Sequence, residues 1–164
     1  MEHCPQLQSL KLSYCSTRLP ERAEDKPLHS TRLKPNSILK NLKTLDLDIC
    51  FDMSSEHLNL LLASPSLTHL KISNLGHIVM DKCFRQAVNV HQFRNLKMLD
   101  FVSLNVTKTG IDLLMNGGNP LMLVNFTDCR SLNVAHIKEW ERLACEKTWD
   151  IVFNYKEYHR MPFP

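Results

Sequence analysis

Glycine is scarce in this chain, which has four glycines among 164 residues. No segment matches the Walker A loop or the G-x-G-x-x-G loop, both of which need glycines to bring backbone N–H groups against phosphate. The adjacent glycines of "NGGNP" lack the required spacing and the following Lys-Ser/Thr. No G-x-S-x-G segment is present to hold a nucleophilic serine. The sequence therefore contains no signature of nucleotide binding or of serine-hydrolase chemistry.

Long apolar runs and a large net charge are also missing. No stretch approaches the roughly 18 apolar residues of a membrane-spanning helix, and the N-terminus lacks the apolar segment of a secretion signal. The formal charge is +3, and the lysines and arginines are scattered along the chain. A small, dispersed charge argues against nucleic acid or an anionic membrane as a partner. We therefore predict no nucleic-acid partner and no membrane, and the protein partner predicted for this chain follows from its repeats and their concave face.

Metal-binding and thiol-catalytic patterns are absent as well. None of the six cysteines forms a C-x-x-C pair or a zinc spacing, and the histidines lack an H-E-x-x-H pattern, so we predict no metal and no cofactor. Cys83 and His91 are the one conceivable nucleophile and base, but no third residue orients them. We predict a structural cysteine there and a chain that is not an enzyme. Free thiols predict a reducing compartment, either cytoplasm or nucleus.

The chain does contain an aliphatic pattern that recurs, L-x-x-L-x-L-x-x-C. Five copies are present, and a degenerate sixth is centred on Ile151. Their central residues are separated by 35, 25, 29, 25 and 27 residues, and all but the first step fall in the roughly 20–29-residue window of a leucine-rich repeat. Three copies end in cysteine, which we interpret as a small buried residue. The five copies are Leu7–Cys15, Leu42–Cys50, Leu67–Leu75, Leu96–Leu104 and Leu121–Cys129.

Helical segments are predicted between the copies of the pattern. Apolar residues at helical spacing predict helices over 54–64, 107–117 and 133–147, and a more ambiguous one over 80–93, where two valines lower helix propensity. In the 133–147 helix the predicted inward face is Val134, Ile137, Trp140 or Glu141, and Ala144. A strand followed by a return helix and then by a parallel strand, repeated along the chain, predicts a right-handed α/β leucine-rich-repeat solenoid. The strands would lie on its concave face and the helices on its convex face.

Four segments follow from this interpretation. Residues 1–15 form a truncated first repeat, and 41–154 hold the remaining leucine-rich repeats. Residues 16–40 form a Pro-rich inserted loop that either carries an interaction motif or is simply a tolerated insertion. Residues 155–164 form an amphipathic C-terminal tail, for which three placements are open: a cap on the last repeat, a disordered segment, or a crossing of the concave face.

Several of these segments resemble a known family. The strand-end cysteines, "CPQL" and "SPSL" before the leucine runs, and "MSSEHLNLLL" and "VTKTGIDLLM" after them are similar to cysteine-containing leucine-rich repeats. Such repeats form the substrate-recognition half of F-box/LRR proteins. The resemblance covers Cys4–Cys15 and Asn41–Phe153, and it departs from the pattern at Leu75 and Leu104, where the cysteine is replaced.

That resemblance implies substrate recognition for a cullin-type ubiquitin ligase. Nothing in the chain resembles an F-box, so the expected form is truncated before it, and an F-box half or a ligase adaptor would come from outside this chain. A free-standing leucine-rich-repeat adaptor or regulator with no ligase link is the alternative. A fragment of an innate immune sensor is disfavoured, because those repeats are longer and more regular.

The predicted binding surface is the concave face. The residues after the central leucines alternate in charge, which favours either a charge ladder or a polar floor for recognition. One end of the face is acidic and hydroxylated, and the other carries apolar residues that we expect to be exposed and to bind protein. For the sixth strand, the Ile151 register places Asp150 and Val152 on this face. The predicted partner-binding residues are Lys11, Thr44, Asp46, Asp48, His69, Lys71, Met98, Asp100, Val102, Leu123, Asn125 and Thr127.

Overall fold

The computed structural model describes residues 6–14, 39–50, 53–91, 93–116, 118 and 120–157. Within these ranges the chain alternates between strands and helices, and six strands form one parallel sheet in the sequential order β1 to β6. The strands are β1 Ser9–Ser13, β2 Thr44–Asp48, β3 His69–Ser73, β4 Met98–Val102, β5 Leu123–Thr127 and β6 Val152–Lys156. The helices are α1 Ser55–Leu62, α2 Met80–His91, α3 Lys108–Met115 and α4 Val134–Glu146. The predicted α/β fold with parallel strands is confirmed.

The aliphatic pattern sets the register of the first five strands. Leu10 lies opposite Leu45, and the pairing continues through Leu70, Leu99 and Val124. Because side chains alternate across a strand, the second and fourth residues of each strand point to one side. In β2 to β5 these side chains are fully buried against the helices. The core therefore lies between one face of the sheet and the helix layer.

A series of neighbouring aromatic rings, stacked or tilted, joins successive strands and helices within that core. The Phe84 ring of α2 lies 5.5 Å from that of Phe101 in β4, measured between ring centroids. The series continues through Phe126 at 6.2 Å and Trp140 at 5.6 Å to Phe153 at 6.4 Å. Offset and tilted pairs at these separations are each worth about 0.5–1.5 kcal/mol beyond the area that they bury.

The four predicted helices are present, each slightly shorter than its predicted segment. Helix α1 begins after Ser54, whose hydroxyl accepts a hydrogen bond from the backbone N–H of His57 at 3.2 Å. In α4 the predicted face included either Trp140 or Glu141, and Trp140 is the buried one. The prediction that Val134 faces the core is wrong: it is the first residue of α4 and is exposed, because the helix begins at the rim of the core.

The sixth strand lies two residues out of the predicted register. Phe153, not Ile151, pairs with Val124, so Val152 replaces Asp150 beside Leu123. The physical reason is Tyr155, which turns its ring inward and donates a hydrogen bond from its hydroxyl to the carbonyl of Leu132 at 3.1 Å. The predicted boundary of the tail at 155 is therefore also wrong, since β6 continues to Lys156. Residues 158–164 lie outside the described part, as do 1–5 and 15–38, which contain almost all of the predicted inserted loop.

With the corrected register, the spacing of the strands alternates. The steps from Leu45 through Leu70, Leu99 and Val124 to Phe153 are 25, 29, 25 and 29 residues. The intervening helices alternate in the same way, with 8, 12, 8 and 13 residues. We call one strand with its following helix a unit, and a short unit is followed by a long one throughout β2 to β6.

The turn after each of the first five strands has one repeated geometry. The residue directly after the strand has a positive φ of 49° to 59° at Tyr14, Ile49, Asn74, Ser103 and Asp128. Its backbone N–H donates to the carbonyl of the last residue of the next strand, at 2.8–3.2 Å. Left-handed backbone costs energy for a residue with a Cβ, and here a hydrogen bond to the neighbouring strand accompanies it each time.

Candidate interaction surface

The first, third and fifth residues of every strand point away from the helices, and we call the surface that they form the open face. The twelve residues predicted to bind a partner all occupy these positions in β1 to β5. The leucine register therefore brings them onto one side of one sheet, although they are spread over more than a hundred residues of sequence. Val152, Asn154 and Lys156 of β6 extend the same surface.

The β1–β3 half of the open face is polar. The Lys11 ammonium lies 3.3 Å from Oδ2 of Asp46, and the lysine side chain is 69% exposed while the aspartate is 19% exposed. The other carboxylate oxygen of Asp46 is buried and has no hydrogen-bond partner among the described residues. The predicted charge ladder is therefore present between β1 and β2, as the Lys11–Asp46 ion pair. In the described ranges no ion pair joins the next cation, Lys71, to Asp46 or to Asp100.

Other polar residues of this half make local hydrogen bonds. Asp48 accepts a hydrogen bond from the side-chain amide of Asn74 at 3.1 Å, which ties the end of β2 to the turn after β3. His69 shares a hydrogen bond with the Thr68 hydroxyl at 2.8 Å through its Nδ1. Both contacts hold the side chains at fixed positions. Less side-chain entropy is therefore lost when a partner binds.

The β4–β6 half of the open face carries apolar side chains in adjacent strands. Met98, Leu123 and Val152 are the first residues of their strands, and Leu123 pairs with Met98 on one side and with Val152 on the other; we call these three residues the apolar row. The prediction that Met98, Val102 and Leu123 are exposed is wrong in degree, because neighbouring strands on both sides leave them half-buried. The exposed apolar groups are Val152 on the edge strand, at 54%, and Met122 beside it, at 56%.

Polar groups line the apolar row on one side. The third residues of β4, β5 and β6 are Asp100, Asn125 and Asn154, directly along each strand from the apolar row. Asn154 donates from its side-chain amide to the side-chain oxygen of Asn125 at 2.8 Å. Asp100 makes no ion pair within the described part of the chain. The geometry thus places an apolar strip beside a carboxylate and two amides.

A cleft of about 520 Å³, with mostly polar residues in its lining, lies where β3, β4 and β5 end. Its lining includes Asn74, Ser103 and Asp128, which are three of the positive-φ turn residues, together with Arg130. The Ser103 hydroxyl donates to Oδ2 of Asp128 at 3.3 Å. Sequence reasoning missed this cleft, and the recurring Asn, Ser and Asp one residue beyond each strand were the available signal.

Cys83, the thiol of the one nucleophile–base pair that the sequence raised, lies in the core. Cys83 is fully buried, and desolvation raises the pKa of its thiol despite a hydrogen bond with Ser55 that lowers it. A buried, protonated thiol is a poor nucleophile, since the thiolate is the reactive form. Among the described residues, no group of three His, Cys, Asp or Glu side chains is placed to hold a metal ion. None of the described helices combines the length and apolar character needed to cross a membrane.

No family model matches this chain. A comparison with curated proteins also finds no similar sequence.

Proposed function

We propose that this chain is a protein-interaction module built as a right-handed leucine-rich-repeat solenoid, with the open face as its concave surface. The recurring leucine pattern, the in-register parallel strands and the identical turn after five strands support this architecture. Each unit buries its inner leucines only by stacking on its neighbours, which is the physical basis of such repeats.

The observation that carries the binding proposal is the apolar row beside Asp100, Asn125 and Asn154. Apolar groups that remain accessible on an otherwise polar surface mark sites of protein contact. Flanking carboxylate and amide groups then supply direction and specificity through hydrogen bonds. A segment of another protein, laid across β4 to β6, is the ligand that this arrangement fits best. The module binds without catalysing a reaction, which is consistent with the burial of Cys83.

A narrower proposal concerns the pathway and the compartment. By resemblance of its repeats, the chain recognises substrates for a cullin-type ubiquitin ligase in a form that lacks the F-box. The alternative is a free-standing leucine-rich-repeat adaptor with no ligase link. Cys83, Cys129 and Cys145 are free, which favours a reducing compartment, the cytoplasm or the nucleus.

Affinity capture with a matched pair of variants tests the binding surface. The double variant Met98→Asp with Leu123→Asp places two carboxylates in the apolar row, and we expect it to lose the proteins that the unchanged chain captures. Val134→Asp makes the same kind of change at an exposed residue of α4 and should retain them. Mass spectrometry identifies the captured proteins, and far-UV circular dichroism checks that helix content is unchanged.

The same experiment separates the two pathway proposals. A ligase adaptor or cullin among the proteins captured by the unchanged chain supports the ubiquitin-ligase link, and partners without any ligase component support the free-standing adaptor. An identical set of captured proteins for the unchanged chain and the double variant would contradict the open-face proposal itself.

A further inference from the structure

One half-buried carboxylate borders the apolar row within the sheet. Asp100 lies two residues along β4 from Met98, a distance of about 7 Å, and it is diagonal to Leu123 of β5. Its neighbours across the sheet are Lys71 and Asn125, and it makes no ion pair within the described part of the chain. A carboxylate beside accessible apolar side chains is therefore available to a cation of a partner.

Lys71 presents the opposite charge one strand away. It lies opposite Asp100 in the register of β3 and β4, about 4.8 Å from strand to strand, and it is exposed. No ion pair joins these two described side chains, so each charge remains open to a partner. From β3 to β6 the third residues of the strands thus present a cation, a carboxylate and two amides, in the order Lys71, Asp100, Asn125 and Asn154.

Arginine is the residue type that satisfies both the carboxylate and the apolar row. Its aliphatic stem packs on apolar side chains while the guanidinium stays at their polar border, and its planar set of N–H groups matches a carboxylate with two hydrogen bonds. Such a bond is stronger to the half-buried Asp100 than to a fully hydrated carboxylate, because less water screens it. An acidic residue of a partner over Asp100 would instead place like charges together. The charge of this half of the open face therefore selects a cation at this position.

We propose that the partner segment bound on β3 to β6 carries an acidic residue, an arginine and a large apolar residue in that order, in either chain direction. The acidic residue pairs with Lys71, the arginine pairs with Asp100, and the apolar residue packs on the apolar row at Leu123. The strand spacing of about 4.8 Å corresponds to one or two residues of extended chain, and the diagonal of about 8 Å from Asp100 to Leu123 corresponds to two or three. This inference rests on the proposed function of the open face and adds the chemistry of its ligand.

Selection from random peptides tests this pattern without a known partner. The full-length chain is immobilised, and phage-displayed peptides of random sequence are selected for binding to it and then sequenced. We expect the enriched peptides to contain the acidic, arginine and apolar residues in this order and at these spacings. Enrichment of apolar or acidic peptides that lack a basic residue would overturn the proposal, as would the absence of any enriched sequence.

A charge exchange assigns the contact to Asp100. In fluorescence-polarisation titrations with a synthetic enriched peptide, we expect Asp100→Asn, which keeps the shape of the side chain, to weaken binding about tenfold or more because charge-assisted hydrogen bonds are lost. Asp100→Lys should weaken it further, and a peptide whose arginine is replaced by glutamate should bind this variant more tightly than it binds the unchanged chain. Glu141→Gln removes an exposed carboxylate of α4 and is the matched control, which should leave the affinity unchanged. Equal affinities of the unchanged chain and the Asp100→Asn variant would overturn the proposal.

The double variant Met98→Asp with Leu123→Asp separates failure of this inference from failure of the proposed function. If that variant loses the enriched peptides while Asp100→Asn binds them with unchanged affinity, the open face binds a segment but does not select a basic residue. If the double variant also retains the peptides, they bind elsewhere on the chain and both proposals fail.

Discussion

The buried cysteines Cys50 and Cys129 make equivalent contacts in different units. The Cys129 thiol lies 3.6 Å from the carbonyl of Phe101 on the preceding strand and 3.7 Å from that of Thr127 on its own strand. Cys50 lies 3.7 Å from the corresponding carbonyl of Leu12 and 3.5 Å from that at the end of its own strand. At this position the cysteine S–H group donates a weak hydrogen bond to carbonyls near the strand end. The leucines that replace it in the third and fourth copies of the pattern contribute apolar packing only.

Burial predicts a clear order of thiol reactivity. Cys145 is exposed, whereas Cys83 and Cys129 are buried, and desolvation raises the pKa of both buried thiols. Because the thiolate is the reactive form, we expect iodoacetamide to label Cys145 in the folded protein while Cys83 and Cys129 stay unlabelled until denaturant is added. Peptide mapping by mass spectrometry gives the extent of labelling at each residue. Equal labelling of all three without denaturant would contradict the described core.

The leucines were sufficient to predict which residues share the open face, because burial of the central apolar residue fixes the parity of a whole strand. They were not sufficient for β6, where Thr148, Ile151 and Phe153 imitate the pattern and the inward Tyr155 decides the register. The positive-φ turns were missed for a similar reason. Asn74 and Asp128 are residue types that tolerate this backbone, but Ile49 is not.

Between helices, an aspartate of α2 caps α3 and explains a glycine inside that helix. Oδ1 of Asp81 accepts the backbone N–H of Thr107 at 3.0 Å, and Oδ2 accepts its hydroxyl at 2.5 Å. A Cβ added at Gly110 would lie 2.3 Å from Oδ1 of Asp81. Glycine weakens a helix interior relative to alanine, but here it leaves room for a cap supplied by the preceding helix.

The cap and the glycine should therefore be energetically coupled. Gly110→Ala displaces the Asp81 carboxylate, which breaks two hydrogen bonds from Thr107 worth about 1 kcal/mol each and gains about 1 kcal/mol of helix propensity, so we expect the free energy of unfolding to fall by about 1 kcal/mol. In an Asp81→Ala background the same change should become neutral or stabilising. Urea denaturation of the four proteins in this double-mutant cycle measures the coupling.

A second glycine provides the control for that cycle. Gly76→Ala should be tolerated, because the nearest atom to an added Cβ is 3.8 Å away. If the effects of Gly110→Ala and Asp81→Ala simply add, the two residues do not interact as the structure describes.

For the molecule as a whole, several groups stabilise the fold only in their protonated forms. The hydrogen bond to Asp112 raises the pKa of Lys108, which also bridges α3 to Glu139 of α4 at 3.2 Å. Burial raises the pKa of Tyr155 and, as for Cys83, that of Cys129. A group whose pKa is higher in the folded state contributes stability below its unfolded pKa and loses that contribution as pH rises.

Stability should therefore decrease in alkaline solution. The unfolded-state pKa values are about 8.5 for cysteine, about 10 for tyrosine and about 10.4 for lysine, so we expect the urea midpoint to fall progressively above about pH 8.5. Lys108→Arg keeps its charge at higher pH and should retain more stability near pH 11 than the unchanged chain. Urea titrations under reducing conditions between pH 7 and 11 provide the measurement, and a midpoint that rises over this range would contradict it.

The alternation of short and long units has a consequence for how this fold can be divided. Excising one unit would place two short helices or two long helices side by side, whereas each native neighbour pair from α1 to α4 joins a short helix to a long one. Excising 54 residues, from Leu45 to Leu99 or from Leu99 to Phe153, would bring like ends together. The smallest portable module of this architecture is thus a pair, and grafts or duplications that respect the pair would leave the sheet continuous.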